Sequence, residues 1–104
     1  MYKIFEYNFE WDPAKATSNY KKHGITFERA ATVFNDRKAL TVYEEEHGDE
    51  EDRWVTLGLD VNTFFVVVSH TYREKNNRVV YVRIISARKA TKKEIRQYQG
   101  GFII

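Results

Sequence analysis

The stretch VRIISARKATKKE, residues 82–94, decides the fold, because it predicts both a central strand and the helix that follows it. Its first half is apolar and rich in β-branched residues, which is typical of a buried strand, yet Arg83 lies within it. Arg88 follows directly after the apolar run. Thr91 with Glu94 three residues later forms a capping box, so a helix is predicted to begin where the strand ends.

Strand alternation predicts two different faces for this segment. The side chains of one face are wholly apolar and should pack on helices, and they are Val80, Val82 and Ile84. Tyr81 and Arg83 belong to the other face. Because a buried and unpaired arginine is costly, Arg83 should contact solvent, a bound phosphate or a carboxylate. Glu51 and Asp52 are the candidate carboxylates, so a phosphate site and a plain salt bridge are both open.

The face of the strand on which Arg88 lies depends on whether the strand is regular. Strict alternation places it on the face opposite Arg83. The two cations can act together only if the strand ends, or contains a bulge, near Ser86 or Ala87. The small residues at these positions permit a bulge but do not require one.

Two helices are predicted near the start of the chain. Asp12 followed by Pro13 is an N-cap with proline at the first helical position, and this helix should run to about His23 and end at Gly24. Thr26 caps the second helix. Its apolar side chains recur at helical spacing along one stripe, at Phe27, Ala30, Ala31 and Phe34. The two helices are predicted to form a compact hairpin.

The remaining segments predict strands. FEYNFEWD is the first strand, and KALTVYEEE, RWVTLGLD, FFVVVSHTYR and RVVYVRIISA are the others. Their short connections favour a mainly antiparallel sheet, and helices before and after the strands make the fold α+β. We therefore expect a single domain over residues 1–104, with an N-terminal helical hairpin and a short C-terminal helix. The apolar residues 102–104 are expected to dock on the sheet.

Composition limits the classes of function. The chain has 104 residues, no cysteine and 42 % hydrophobic residues, which suits one folded domain without disulfides. Its longest apolar run, Phe64 to Val68, is far too short to cross a membrane. The sequence start turns acidic early and is unlike a signal peptide, so a cytoplasmic location is expected.

Charge is distributed unevenly along the chain. Residues 41–60 contain one arginine against eight acidic residues, whereas residues 61–104 contain nine lysines and arginines against two acidic residues. A basic region in a folded domain favours a polyanionic partner, although a solvated basic surface is the simpler alternative.

Several further side chains are candidates for chemistry. His70 and His23 lie at the ends of predicted elements and are candidates for proton transfer, with a structural hydrogen-bonding role as the alternative. Arg53 begins a strand after four acidic residues. The candidate lysines lie near predicted helix ends, and they are Lys22, Lys89, Lys92 and Lys93. The acidic residues lack the spacing of a calcium loop and no histidine pair has metal-ligand spacing, so neither a metal nor another cofactor is expected.

Cations, a histidine and tyrosines without a metal suit one reaction in particular. RNA carries its own nucleophile, the 2′-hydroxyl, and an enzyme need only orient it, remove its proton and stabilise charge on the phosphate. A non-catalytic RNA-binding domain would use much the same residues.

Three segments resemble the BrnT family of bacterial toxins, namely FEWDPAKATSNYKKHGITFERAATVF, EDRWVTLGL and VRIISARKATKKE. The resemblance covers nearly the whole chain in the order typical of that family. It implies a RelE-like ribonuclease fold and a toxin that cleaves RNA without a metal and inhibits translation. Within the matching motifs, Lys22 and His23 correspond to a K-H-G turn, and the matching arginines are Arg53, Arg83 and Arg88.

The resemblance also implies partners. The toxin of a type II toxin–antitoxin pair is neutralised by a cognate antitoxin, here expected to be BrnA-like. Operator DNA would be bound only through the antitoxin, and a toxin homodimer within a heterotetramer is an expected assembly. The alternative that the residues leave open is a non-catalytic module that binds RNA or only the antitoxin.

Overall fold

The computed structural model describes residues 6–45 and 51–100. Its elements in chain order are β1 (Glu6–Glu10), α1 (Pro13–His23), α2 (Phe27–Thr32), a 3₁₀ helix (Val33–Asn35), β2 (Leu40–Glu44), β3 (Arg53–Leu59), β4 (Phe65–Glu74), β5 (Val79–Lys89) and α3 (Lys92–Tyr98). The predicted docking of residues 102–104 lies outside the described residues.

The strands form one five-stranded sheet in the order β1-β5-β4-β3-β2. β1 runs parallel to β5, while every other neighbouring pair is antiparallel. The prediction of an α+β fold with a mainly antiparallel sheet is therefore confirmed. The chain passes through α1, α2 and three strands between β1 and β5, so their parallel pairing needs no tight turn.

The predicted helix ends are also confirmed. The Asp12 carboxylate accepts a hydrogen bond of 2.8 Å from the Ala14 amide, and Gly24 ends α1 in the left-handed conformation with φ of 71°. The Thr26 hydroxyl caps α2 by accepting from the Arg29 amide at 3.1 Å. α2 itself is short and continues as the 3₁₀ helix.

Both N-terminal helices cover the same face of the sheet and pack chiefly against β5 rather than against each other. The predicted compact helical hairpin is therefore not confirmed. The buried apolar side chains between helices and sheet are Ile25, Phe27, Ala30, Val33, Val66, Val68, Val80, Val82, Ile84 and Ala87. This set includes the whole apolar face predicted for β5.

A buried asparagine joins α1 to β5 beyond the end of β1. The last pair of β1 with β5 joins Glu10 and Arg83. Further along β5, the Asn19 side-chain amide donates 2.9 Å to the Ala87 carbonyl and its oxygen accepts 3.0 Å from the Ala87 amide. The same amide also donates to the Ile25 carbonyl at 3.2 Å. Asn19 thus satisfies backbone groups that a neighbouring strand would otherwise satisfy.

α3 lies against the opposite, largely open face of the sheet. The capping box predicted for Thr91 and Glu94 is present in both directions. At the other end of α3, the Tyr98 hydroxyl donates a 2.7 Å hydrogen bond to Asp36, whose carboxylate also accepts from the Leu59 amide at 2.8 Å. These contacts attach α3 to the rest of the domain.

Candidate functional site

A β-bulge in β5 determines the geometry of the open face. Ser69 of β4 lies opposite Ser86 of β5, whereas the next residue, His70, lies opposite Ile84. Ile85 is therefore an extra residue on β5 with no counterpart on β4. A bulge near Ser86 was the condition under which Arg83 could act with a second arginine.

The bulge brings the two arginines to one face. Arg83 lies opposite Thr71, and Arg88 lies opposite Val67. Thr71 and Val67 are four residues apart on β4, so their side chains point to the same face. Facing residues of an antiparallel pair share a face, so Arg83 and Arg88 both belong to the face that α1 and α2 leave open.

A polar cavity of about 210 Å³ lies beside Arg88 on the open face. Its lining residues come from β2, β3, β4 and β5, and they are Glu44, Arg53, Val55, Val67, Ser69, Ile85, Ser86 and Arg88. Glu44 and Arg53 face each other in the pairing of β2 with β3. The cavity therefore combines two guanidinium groups, a carboxylate and two hydroxyls.

Arg88 is oriented by a bidentate ion pair with Glu94 at the start of α3. Arg88 Nη1 and Nη2 each donate 2.9 Å to one oxygen of this carboxylate. The hydrogen bonds from Arg88 hold the pKa of Glu94 down at about 2, and the same contact raises the pKa of Arg88. The pair fixes the guanidinium in the cavity wall and attaches α3 to β5.

Arg83 forms a looser pair with Glu51. Its Nη2 donates to the Glu51 carboxylate at 2.6 Å, and the two side chains are 46 % and 51 % exposed. An exposed pair of this kind contributes about 0–1 kcal/mol. The salt bridge considered for Arg83 is therefore present, and its weakness allows another anion to replace the carboxylate.

The open face extends from Arg83 towards the β4–β5 hairpin. Arg73 lies opposite Tyr81, and its guanidinium carbon is 5.2 Å from the centre of the tyrosine ring. Lys75 Nζ lies 5.7 Å from the same ring centre. This cation–π cluster continues the positive surface along the sheet.

The other half of the open face is apolar. A groove of about 430 Å³ lies between β2, β3 and α3. Its walls are formed by Leu40, Thr41, Val42, Val55, Leu57, Val67, Glu94 and Gln97. Val55 and Val67 line both cavities, so the apolar groove and the polar cavity are neighbours.

His70 lies on the opposite face, inside the core. It is fully buried, its Nε2 is 2.7 Å from the Thr56 hydroxyl, and its Nδ1 has no hydrogen-bond partner. Its ring packs edge-on against Phe34 and Tyr72, with 4.8 Å between ring centres in each case. Burial lowers its pKa to about 4, which keeps the ring neutral. A substrate on the open face cannot reach this imidazole.

The remaining predicted residues are dispersed. Lys22 and His23 end α1 on the helix-covered side. Lys89 lies opposite the buried Val66, so alternation turns it towards the same side. Lys92 and Lys93 are exposed in the first turn of α3, next to the open face.

Glu44 is a candidate that the sequence analysis missed. It belongs to the acidic run that follows Tyr43, and nothing in that run distinguishes one glutamate from the next. Only the pairing of Glu44 with Arg53 assigns it to the cavity. Position within a strand, rather than residue type, was the missing signal.

Within residues 6–45 and 51–100, no group of three or more histidine, aspartate and glutamate side chains is arranged to hold a metal ion. The helices of this part of the chain are too short or too polar to cross a membrane.

The fold and site define a small α+β protein whose antiparallel sheet presents clustered arginines on one open face. The chain belongs to the family described as the ribonuclease toxin BrnT of type II toxin–antitoxin systems, whose model matches residues 11–94. This family membership implies an RNA substrate and an antitoxin partner. A comparison with curated proteins gave no match.

A solved structure supports the fold. The crystal structure of the Brucella abortus ribonuclease toxin BrnT is similar to this chain with a TM-score of 0.56 and 20 % sequence identity. The similarity covers 88 % of this chain and 100 % of the Brucella chain. At this identity the comparison supports the architecture alone, and the residue roles depend on the geometry described above.

Proposed function

We propose that this chain is a metal-independent endoribonuclease that inhibits translation as a toxin and is neutralised by a BrnA-like antitoxin. The observation that carries the proposal is the bulge at Ile85, which brings Arg83 and Arg88 to one open face beside Arg53. We also propose that residues 1–104 form a single RelE-like domain and that the protein acts in the cytoplasm. Operator DNA would be contacted only through the antitoxin.

The proposed reaction uses the 2′-hydroxyl of RNA as the nucleophile. The bond from the 2′ oxygen to phosphorus forms while the bond from phosphorus to the 5′ oxygen breaks. The products are a 2′,3′-cyclic phosphate and a 5′-hydroxyl, whose proton comes from water. The protein must remove the 2′ proton and stabilise the charge on the phosphate oxygens.

Arg53 and Arg88 are suited to charge stabilisation because both line the cavity. Arg88 uses Nη1 and Nη2 for Glu94 and also donates from Nη1 to the Lys89 carbonyl at 3.3 Å. Its Nε and the second Nη2 proton are left to contact a phosphate. Glu94 would thus hold Arg88 in position before the substrate binds.

Glu44 is the proposed general base. Its side chain lines the same cavity as Arg53 and Arg88, within a sheet strand that limits its movement. A carboxylate there can accept the 2′ proton while the arginines contact the phosphate. His70 is not included in this role, because it lies in the core on the other face.

Arg83 would exchange its partner when RNA binds. The Glu51 carboxylate is exposed and weakly held, whereas a phosphate offers two oxygens to the guanidinium. The chain of RNA would then extend along Arg73, Tyr81 and Lys75, where a base can stack on the tyrosine ring.

The proposed lysine contacts divide into two groups. Lys92 and Lys93 lie beside the open face and suit the RNA backbone near the cavity. Lys22, Lys89 and His23 belong to the helix-covered side, so they would contact only an RNA that passes around the end of β5.

A second function, RNA or antitoxin binding without cleavage, is favoured by one observation. Both Arg83 and Arg88 are paired with carboxylates, so part of the positive charge on the open face is already neutralised. A module that binds its partner through these same cations would need no general base.

A cleavage assay in excess chelator separates the two functions. The parent protein is expected to cleave RNA, and Arg83→Ala is expected to cleave it about a hundredfold more slowly or worse. Arg78→Ala is the matched control, since this exposed arginine lies in the β4–β5 turn away from the cavity. Glu44→Gln should also lose cleavage while it still binds RNA.

RNA binding should be measured for the same proteins that are tested for cleavage. Binding of RNA by the parent without any cleavage would contradict the enzyme and favour the binding module. Equal losses for Arg78→Ala and Arg83→Ala would mean that general charge, rather than a site, determines the activity.

A further inference from the structure

β2 forms one outer edge of the sheet and exposes apolar side chains there. Val42 is 61 % exposed, Tyr43 is 44 % exposed and Leu40 is 36 % exposed. An outer strand has unpaired backbone groups, and proteins usually protect such an edge with charges or a covering element. The centre of β2 has neither kind of protection among the described residues.

The opposite edge of the sheet, β1, differs in charge. Its sequence is EYNFE, with an acidic residue at each end and no basic residue. If two copies of β1 paired in antiparallel fashion about Asn8, Glu6 of one copy would face Glu10 of the other. Like charges directly opposite each other are destabilising, so this edge disfavours pairing with itself.

The β2 segment has the reverse pattern. Residues 37–45 read RKALTVYEE, with basic residues before an apolar centre and acidic residues after it. In an antiparallel pair of two such segments, the basic end of each copy lies beside the acidic end of the other. Opposite charges facing each other across a sheet are stabilising.

The register of such a pair follows from strand geometry. The backbone groups of two facing residues must point either both towards the other strand or both away from it, so their residue numbers must be both odd or both even. Pairing about Thr41 meets this condition and places Leu40 opposite the partner copy's position 42. Arg37 lies in the turn before β2 and Glu45 directly follows β2, so in this register the basic start of each copy lies near the acidic end of the other.

We propose that a second copy of this chain pairs with β2 in antiparallel fashion about Thr41, so that the two sheets become continuous. The exposed side chains of Leu40 and Val42 would then cover each other on the open face. This inference does not depend on RNA cleavage.

The contact between the copies is small, because β2 has only five residues. The dimer should therefore be weak, with dissociation in the micromolar range or above. Its strength should fall as salt rises, since charged residues at both ends of the pair contribute to it and exposed charges are screened.

Sedimentation velocity from micromolar to near-millimolar protein tests the proposal. The parent should dimerise reversibly, and Arg37→Glu or Glu45→Lys should each raise the dissociation constant about fivefold or more. The double variant Arg37→Glu with Glu45→Lys exchanges the two charges and should recover the affinity of the parent. That recovery is expected only if the basic start of one copy lies near the acidic end of the other.

Two further variants complete the test. Val42→Lys should abolish the dimer, because it places a charge in the apolar centre, and Glu6→Lys on the β1 edge should leave the dimer unchanged. Circular dichroism checks that each variant is folded. A parent that stays monomeric at all concentrations would overturn the proposal. Single charge reversals that keep the affinity of the parent, or a double variant that does not recover it, would also overturn the proposal.

Discussion

The two faces of the sheet differ in what they do with polar side chains. The helix-covered face packs Val66, Val68 and Ile84 against α1 and α2, and it buries His70 without a second hydrogen-bond partner. The open face carries Arg83 and Arg88, each paired with a carboxylate. A polar residue on the covered face affects stability, whereas one on the open face is available for a ligand.

One extra residue in a strand can decide the role of another residue. Without the bulge at Ile85, alternation would turn Arg88 towards the core and Ala87 towards solvent.

Arg88→Ala should give the largest effect. It removes a guanidinium that lines the cavity, and we expect RNA cleavage to slow by about a hundredfold or more, which corresponds to about 3 kcal/mol. Glu94→Gln is the matched variant, because it removes the ion pair but keeps the arginine. Single-turnover cleavage with thermal unfolding measures both effects. If Glu94→Gln loses as much cleavage as Arg88→Ala, Arg88 acts only through the attachment of α3.

Asn19→Ala tests the covered face. The change leaves the buried backbone groups of Ala87 and the carbonyl of Ile25 without their partner, so we expect a loss of about 3 kcal/mol in the free energy of unfolding. Thr17→Ala on the same helix removes only an exposed hydrogen bond and should change stability by less than about 1 kcal/mol. Urea unfolding compares the two variants, and similar losses would contradict the proposed role of Asn19.

The buried His70 predicts a loss of stability in mild acid. Its pKa is about 4 in the folded protein against 6.5 as its ordinary value, so the unfolded chain binds the proton more readily between these values. Stability is therefore fully present above pH 6.5 and falls as pH decreases, by about 2 kcal/mol at pH 5.

Urea unfolding at a series of pH values measures this dependence, and His70→Leu provides the control. Between pH 7 and pH 5, the free energy of unfolding of His70→Leu should change much less with pH than that of the parent. Glu94 does not complicate this window, because its pKa is lowered from 4.5 to about 2, so its own contribution is lost only below pH 4.5. An unchanged slope in His70→Leu would assign the effect to other groups.

Glu51→Gln should give the smallest effect. Its pair with Arg83 is exposed, so the free energy of unfolding should change by less than about 1 kcal/mol. Affinity for RNA should rise slightly, since Arg83 no longer has to leave a carboxylate. Fluorescence anisotropy with labelled RNA measures this change, and a decrease in affinity would contradict the proposed exchange of partners.

Local signals predicted much of the fold. α1 and α2 begin at the predicted N-caps, Asp12 and Thr26, and α1 ends at Gly24 as predicted. These positions were predictable because helix capping depends on a few neighbouring residues. The site was less predictable. His70 was a candidate for proton transfer, but whether a strand residue faces the core depends on the helices packed against it.

The sequence by itself determined the helix ends, the apolar face of β5 and the uneven charge, since each depends on residues close together in the chain. Only the tertiary structure decided that Ile85 is extra, that Glu44 shares a cavity with Arg53, and which carboxylates hold the arginines. These features depend on pairing between strands that are distant in sequence, and a shift of one residue reverses the face of every side chain.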